Sequence, residues 1–227
     1  MRRIFTVLAA AVFCGAGAAA LAMGGGSTPK SQSTSRPATP EQQARDLYND
    51  GVGYVKKADK ADAEAAQAGD ARKKERASRE SHDRYAGALD KFQHAVQLDP
   101  QRYEAWNYVG YTSRKLGHYD DALAAYDRAL ALKPGYPDAI EYRGEAYLGV
   151  NRLDDAKKAY LDLFAGNRAL ADRLLTAMKG WVAAQHAAPA ADNAAGVDEL
   201  DKWIQERTQI AAQTAALTRA GTAAAWR

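Results

Sequence analysis

The sequence predicts an all-α protein, a short solenoid of about three helical hairpins, the first with a long insertion and the last followed by C-terminal capping helices. Three observations carry this. Residue types recur 34 positions apart: Tyr85, Tyr119 and Leu153, then Ala88, Ala122 and Ala156, then Phe92, Tyr126 and Tyr160. A repeat of roughly 20–50 residues marks a stacked array of supersecondary units. Within one period Ala122, Leu123, Tyr126, Ala129 and Leu130 fall on one face at helical spacing. The columns also sort by size. Gly110, Ala122 and Ala129 are small, as helix axes in close approach require, while Trp106, Tyr119 and Tyr126 are large enough to fill the gaps between helices. With 227 residues, 47% hydrophobic and 26% charged, the chain has the apolar content for a core, which excludes collagen-like, disulfide-scaffold and mostly disordered classes.

The first element is an address. Arg2 and Arg3 precede an apolar, small-residue run from Ile4 to Ala22 that ends in Ala20-Leu21-Ala22, an A-x-A cleavage pattern. Residues 1–22 are therefore expected to be a secretory signal peptide, with an uncleaved anchor as the alternative. Arg2-Arg3-Ile4-Phe5 also opens like a twin-arginine signal, so the export route stays open. Cys14 follows the bulky Phe13 and lies too early for a lipoprotein cysteine. The expected location is exported and periplasmic, with signal-anchored at the inner membrane or secreted as alternatives. No stretch of 18 apolar residues follows the first 25 positions, so no stable membrane span is expected after cleavage. Removing the leader takes away two arginines and the one cysteine and leaves a net charge of about +1, too small for nucleic-acid binding by counterion release. Residues 23–40, rich in Gly, Ser, Thr and Pro, read as a disordered linker.

The first repeat is placed at 41–102. Its second helix, Tyr85 to Leu98, is regular. Leu47, Gly51 and Tyr54 match Trp106, Gly110 and Ser113 only if about 25 residues are inserted near 57–81. The insertion is almost all Ala, Lys, Arg, Asp and Glu around Ala68-Gly69-Asp70. It is expected to be an overlong helical hairpin with its tip near Gly69 and both arms largely solvated, or else a flexible loop. The basic run Arg72–Arg79 reads as a solvated face or as a docking site for an acidic surface or lipid headgroups.

The second repeat spans 103–136 and the third 137–167. Gly117-His118 ends one helix, Pro134 stops the next, and Pro137 opens the following unit. Trp106, Gly110, Tyr119, Ala122, Tyr126, Ala129 and Pro134 stand in an order that resembles the tetratricopeptide repeat (TPR) family. Pro137–Phe164 follows the pattern with Leu163 in Ala129's place and without the closing proline. The resemblance implies a curved stack whose first helices line a groove for an extended or helical segment of a protein or peptide partner. By register, the exposed groove positions are expected to be Arg45 and Tyr48, then Asn107, Tyr111 and Arg114, then Asp138, Glu141 and Glu145. This mixed groove suits a peptide with a basic segment. Asp138 and Tyr142 stand where the carboxylate-clamp type of TPR needs cations, which argues against chaperone C-termini.

Residues 168–186 carry Leu170, Leu174, Leu175, Met178, Trp181 and Val182 on one stripe, a capping helix for the open end. A linker at 187–196 leads to an amphipathic helix and tail at 197–227, with Leu200, Trp203, Ile204 and Ile210, which either packs back or serves a partner.

The chemistry of an enzyme is missing from the pattern. His82, His94, His118 and His186 have no metal-ligand spacing, and no phosphate-binding loop or nucleophile elbow occurs. Asp120-Asp121 and Asp154-Asp155 recur at the period and read as first-turn charges that favour the helix dipole. No catalytic residue, metal or cofactor is expected. The expected function is a non-catalytic interaction scaffold of the cell envelope; the alternative is a structural subunit that assembles through the inserted hairpin and last helix, as a larger complex or a homo-oligomer.

Overall fold

The computed structural model describes residues 37–188 and 194–224. The leader expected at 1–22, nearly all of the 23–40 linker and residues 189–193 lie outside them. The described residues form eight helices and no strand: α1 (Pro40–Gln67), α2 (Ala71–Leu98), α3 (Tyr103–Lys115), α4 (Tyr119–Leu132), α5 (Pro137–Gly149), α6 (Leu153–Gly166), α7 (Arg168–Ala187) and α8 (Ala194–Ala224). Each packs on its neighbour in sequence, and the first helices of successive hairpins also meet, α3 on α5 and α5 on α7. Such nearest-neighbour stacking is what a solenoid is.

Caps and turns place the helix ends. Thr39 starts α1 with a reciprocal cap: the Gln42 N–H donates to Thr39 Oγ1 (3.3 Å) and the Thr39 N–H donates to Gln42 Oε1 (2.9 Å). Asp70 starts α2 by accepting the Lys73 N–H at 3.0 Å, and Asn167 starts α7 by accepting the Leu170 N–H at 3.2 Å. The turns inside the second and third hairpins each need one left-handed residue. Gly117 (φ 81°) and Asn151 (φ 58°) supply it, 34 positions apart.

The first hairpin is helical throughout, including the inserted stretch. Composition suggests solvated arms, and the structure differs on their inner faces. Ala58, Ala61, Ala65 and Ala77 are buried there, while the outer faces carry the charges and are exposed. Alanine hides this seam from a sequence reading because it is common in solvated helices too. Only close approach of two backbones turns it into core.

Lower in the stack, rings enter the spaces left by glycines. A methyl group built on Gly110 would lie 2.5 Å from Tyr126 Cε1, and one on Gly51 would lie 2.7 Å from Phe92 Cζ. At Gly144 the space is taken by Leu174 of α7, whose Cδ2 would lie 2.6 Å from a methyl group there. The small column therefore admits a side chain from the facing helix, a stricter demand than close axes alone. Two apolar clusters result. One centres on Phe92, Ala95 and Val109, the other on Tyr126, Tyr160, Leu163, Leu174 and Met178, and Trp106 packs against both. The second cluster is completed by Val197, Leu200 and Ile204 of α8, with Trp203 edge-on to Tyr160 at 5.3 Å.

Candidate functional site

The helices α1, α3 and α5 present a run of aromatic rings. Tyr48 of α1 meets Phe92 at 5.8 Å and Tyr108 at 5.7 Å between ring centroids. Tyr108 stacks on Phe92 at 4.9 Å and meets Tyr111 edge-on at 6.2 Å. Tyr111 in turn meets Tyr142 of α5 at 5.0 Å. Tyr108 and Tyr111 are three residues apart on α3, and Tyr48 and Tyr142 sit in the same layer on the flanking first helices. All four tyrosines are half-buried, so each keeps part of its ring in solvent. Burial pushes the Tyr48 hydroxyl up to about 12, with the neighbouring Tyr108 adding to it. Burial likewise raises Tyr108, Tyr111 and Tyr142, so the track is neutral at physiological pH.

Cations lie over these rings. Arg102 is 5.6 Å from the Tyr48 centroid, and Arg114 is 5.4 Å from Tyr111 and 5.7 Å from Tyr142. Arg173 of α7 is 5.8 Å from Tyr142. Arg114 also pairs with Glu145, and both side chains are mostly buried. Burial alone would lower the Arg114 pKa, but Glu145 and the Tyr126 hydroxyl more than offset it. This pair is a buried bridge between the second and third hairpins.

The residues expected at the groove fall into three groups. Tyr48, Tyr111, Arg114 and Glu145 are brought together along the track, as described. Arg45, near the start of α1, is exposed and has no hydrogen bond or ion pair among the described residues. Asp138, in the first turn of α5, is half-buried and helps raise the Tyr136 hydroxyl pKa, after burial. Asn107 and Glu141 were expected at exposed positions and are not exposed: 2% of Asn107 and 0% of Glu141 is accessible. The 34-residue register counts positions along a helix but not what covers them. For Glu141 the cover is α7, which lies outside the repeat.

Glu141 ends in an unusual place for a carboxylate. Neither of its oxygens accepts a hydrogen bond, and the nearest cation is Arg173, with Nη2 3.3 Å from Oε2. Burial raises its carboxyl to about 7 and the adjacent Glu145 adds to the rise, while Arg173 and Arg114 oppose it. Arg173 and the ring of Tyr142 thus belong to the site although the register did not point to Arg173. The one sequence signal for it was its place beside Leu174 on the capping stripe. Among the described residues no cluster of His, Cys, Asp and Glu could hold a metal ion, and no helix is long and apolar enough to cross a membrane.

Residues 103–136 match the tetratricopeptide repeat. The fold is an all-α TPR solenoid, and TPR units are protein–protein interaction scaffolds. Two solved structures of MamA are similar to the chain. One aligns at 19% identity over 74% of this chain and 96% of its own, with a TM-score of 0.39. The other aligns at 20% identity over 67% of this chain and 79% of its own, with a TM-score of 0.34. No curated protein matches the sequence.

Proposed function

We propose that the protein is a non-catalytic scaffold of the cell envelope that holds a segment of a partner protein along the track Tyr48–Tyr108–Tyr111–Tyr142. The observation that carries this is the track itself. Four half-buried tyrosines from three different helices form one run of rings, pinned from beside by the Arg114–Glu145 bridge. Tyrosine offers large contact area at low conformational cost and a hydroxyl for hydrogen bonding, which is why it is enriched where proteins meet. A rigid helical stack holds these rings in place before any partner arrives. Export belongs to the same proposal and rests on the cationic start and the apolar run ending in Ala20-Leu21-Ala22.

The test is capture of partners from the native envelope by the wild-type chain and by the double variant Tyr108→Ala, Tyr111→Ala. The variant is expected to keep its helical circular dichroism and lose the partners that the wild type retains. Recovery of the same proteins by a folded variant would overturn the groove reading.

A further inference from the structure

The α5–α7 junction holds a carboxylate in want of a donor. Glu141 is fully buried, both of its oxygens lack a hydrogen bond, and it lines a cavity of about 460 Å³ together with Glu145, Asp172, Arg173 and Thr176. Buried acceptors are nearly always satisfied, and an ionised one without donors is costly. Arg114 does not supply them: it pairs with Glu145 and lies over two tyrosine rings. Arg173 approaches to 3.3 Å without forming a hydrogen bond to Glu141; its side chain is 55% exposed and rests against Tyr142. Three carboxylates therefore surround a cavity whose one lining cation is a half-solvated surface arginine.

We propose that this cavity is a receptor for one guanidinium group of the bound partner segment, which seats on Glu141 in place of Arg173. The inference rests on the groove reading and gives it a chemical specificity: an arginine in the segment, just past the aromatic track. The geometry fits such a guest. A planar guanidinium can offer two parallel N–H donors to the two bare oxygens. Arg173 already shows that a guanidinium can stand over the Tyr142 ring there, at 5.8 Å, so the guest gains a ring face as well. Asp172 adds negative charge at the rim, while the charge of Glu145 is balanced by Arg114. With Arg173 swung aside, the entering charge meets two oxygens that lack donors.

Binding should depend on pH. Glu141 and Glu145 are faced by Arg114 of α3, Tyr126 of α4, Tyr142 of α5, and Asp172 and Arg173 of α7. With its carboxyl near 7, Glu141 is charged above that pH and neutral below it. A cationic guest is therefore released as pH falls, roughly tenfold in affinity between pH 8 and pH 6.

The experiment titrates the isotope-labelled full chain with N-acetyl-arginine amide, and with N-acetyl-citrulline amide as the uncharged isostere, followed by NMR. The expected result is a saturable shift at Glu141, Glu145 and Thr176 with the arginine probe alone, weakening by about tenfold from pH 8 to pH 6. Glu141→Gln should abolish the pH dependence and most of the binding. Equal shifts with citrulline, no saturable shift at these residues, or binding unchanged in folded Glu141→Gln would each overturn the proposal. Partner capture lost in Tyr108→Ala, Tyr111→Ala but intact in Glu141→Gln would overturn it while leaving the groove reading in place.

Discussion

A single hydrogen atom at position 110 decides how the second hairpin closes. The ring of Tyr126 is fully buried and passes over Gly110 so closely that a methyl group there would sit 2.5 Å from Cε1. Ala122 and Ala129 are buried in the same core as the ring. Gly110→Ala is therefore expected to destabilise the protein by about 1–3 kcal/mol, the usual range for an overfilled core. Helix propensity works the other way by up to about 1 kcal/mol, so the net loss is smaller than the strain alone. Urea unfolding reads the result, and an unchanged midpoint would mean that the ring yields. That position 110 must be small was legible in the sequence from the period; that a ring fills the space was not, because small residues were read there as a sign of close helix axes alone. Nor was the fate of Glu141. Charge is ordinarily read as exposure, and the helix that buries Glu141 carries no repeat from which to place it. Asn107 misled in the same way, since counting along one helix says nothing of the neighbour that lies across it.

The α1–α2 hairpin shows the same contrast for a whole element. That the insertion is helical follows from its Ala, Lys and Glu content, and the turn at Gly69-Asp70 divides it. What steadies the arms against the stack was invisible, because the partners are 26 and 52 residues apart and keep no period. The hydroxyls of Tyr85 and Tyr111 both donate to Asp59 Oδ1, at 2.6 and 2.7 Å. Asp62 pairs with Lys115 of α3. Burial pushes the Asp62 carboxyl up, but Lys115, Ser81 and Tyr85 together hold it below the usual carboxylate range. Asp59→Ala leaves the Tyr111 hydroxyl without its acceptor and the Tyr85 hydroxyl with only Asp62 Oδ2, at 3.1 Å, an expected loss of about 1–3 kcal/mol. Hydrogen exchange should quicken in residues 56–84 and stay unchanged in α5 and α6. Uniform quickening across the stack would show that Asp59 supports the whole array and not the arms.

At the scale of the molecule, fold class is the feature most fully written into the sequence. A solenoid is built of contacts between neighbours, so a local period is enough to specify it. The closing of its end is written less plainly. Val197, Leu200 and Ile204 of α8 are buried in the same cluster as Tyr160, Leu163 and Leu174. Each such side chain contributes about 1.5–3 kcal/mol when removed from water. A chain ending at residue 188 should lose several kcal/mol and expose the α6–α7 surface. Scanning calorimetry is expected to show a clearly lower Tm, and an unaltered Tm would mean that α8 rests on the stack without supporting it.

The alanine seam between the two long arms has a geometric sequel. Apart from Ser81 the inserted stretch buries only alanine methyls there, so its outer reach specifies no particular knob for a particular hole. Seven residues added to each arm, close to two full turns, return the seam to the same face and carry the tip about 10 Å outward. The finger is in effect an adjustable spacer: its length can drift over evolutionary time, or be set by design, while the bracket around Asp59 and everything beneath it keeps its form.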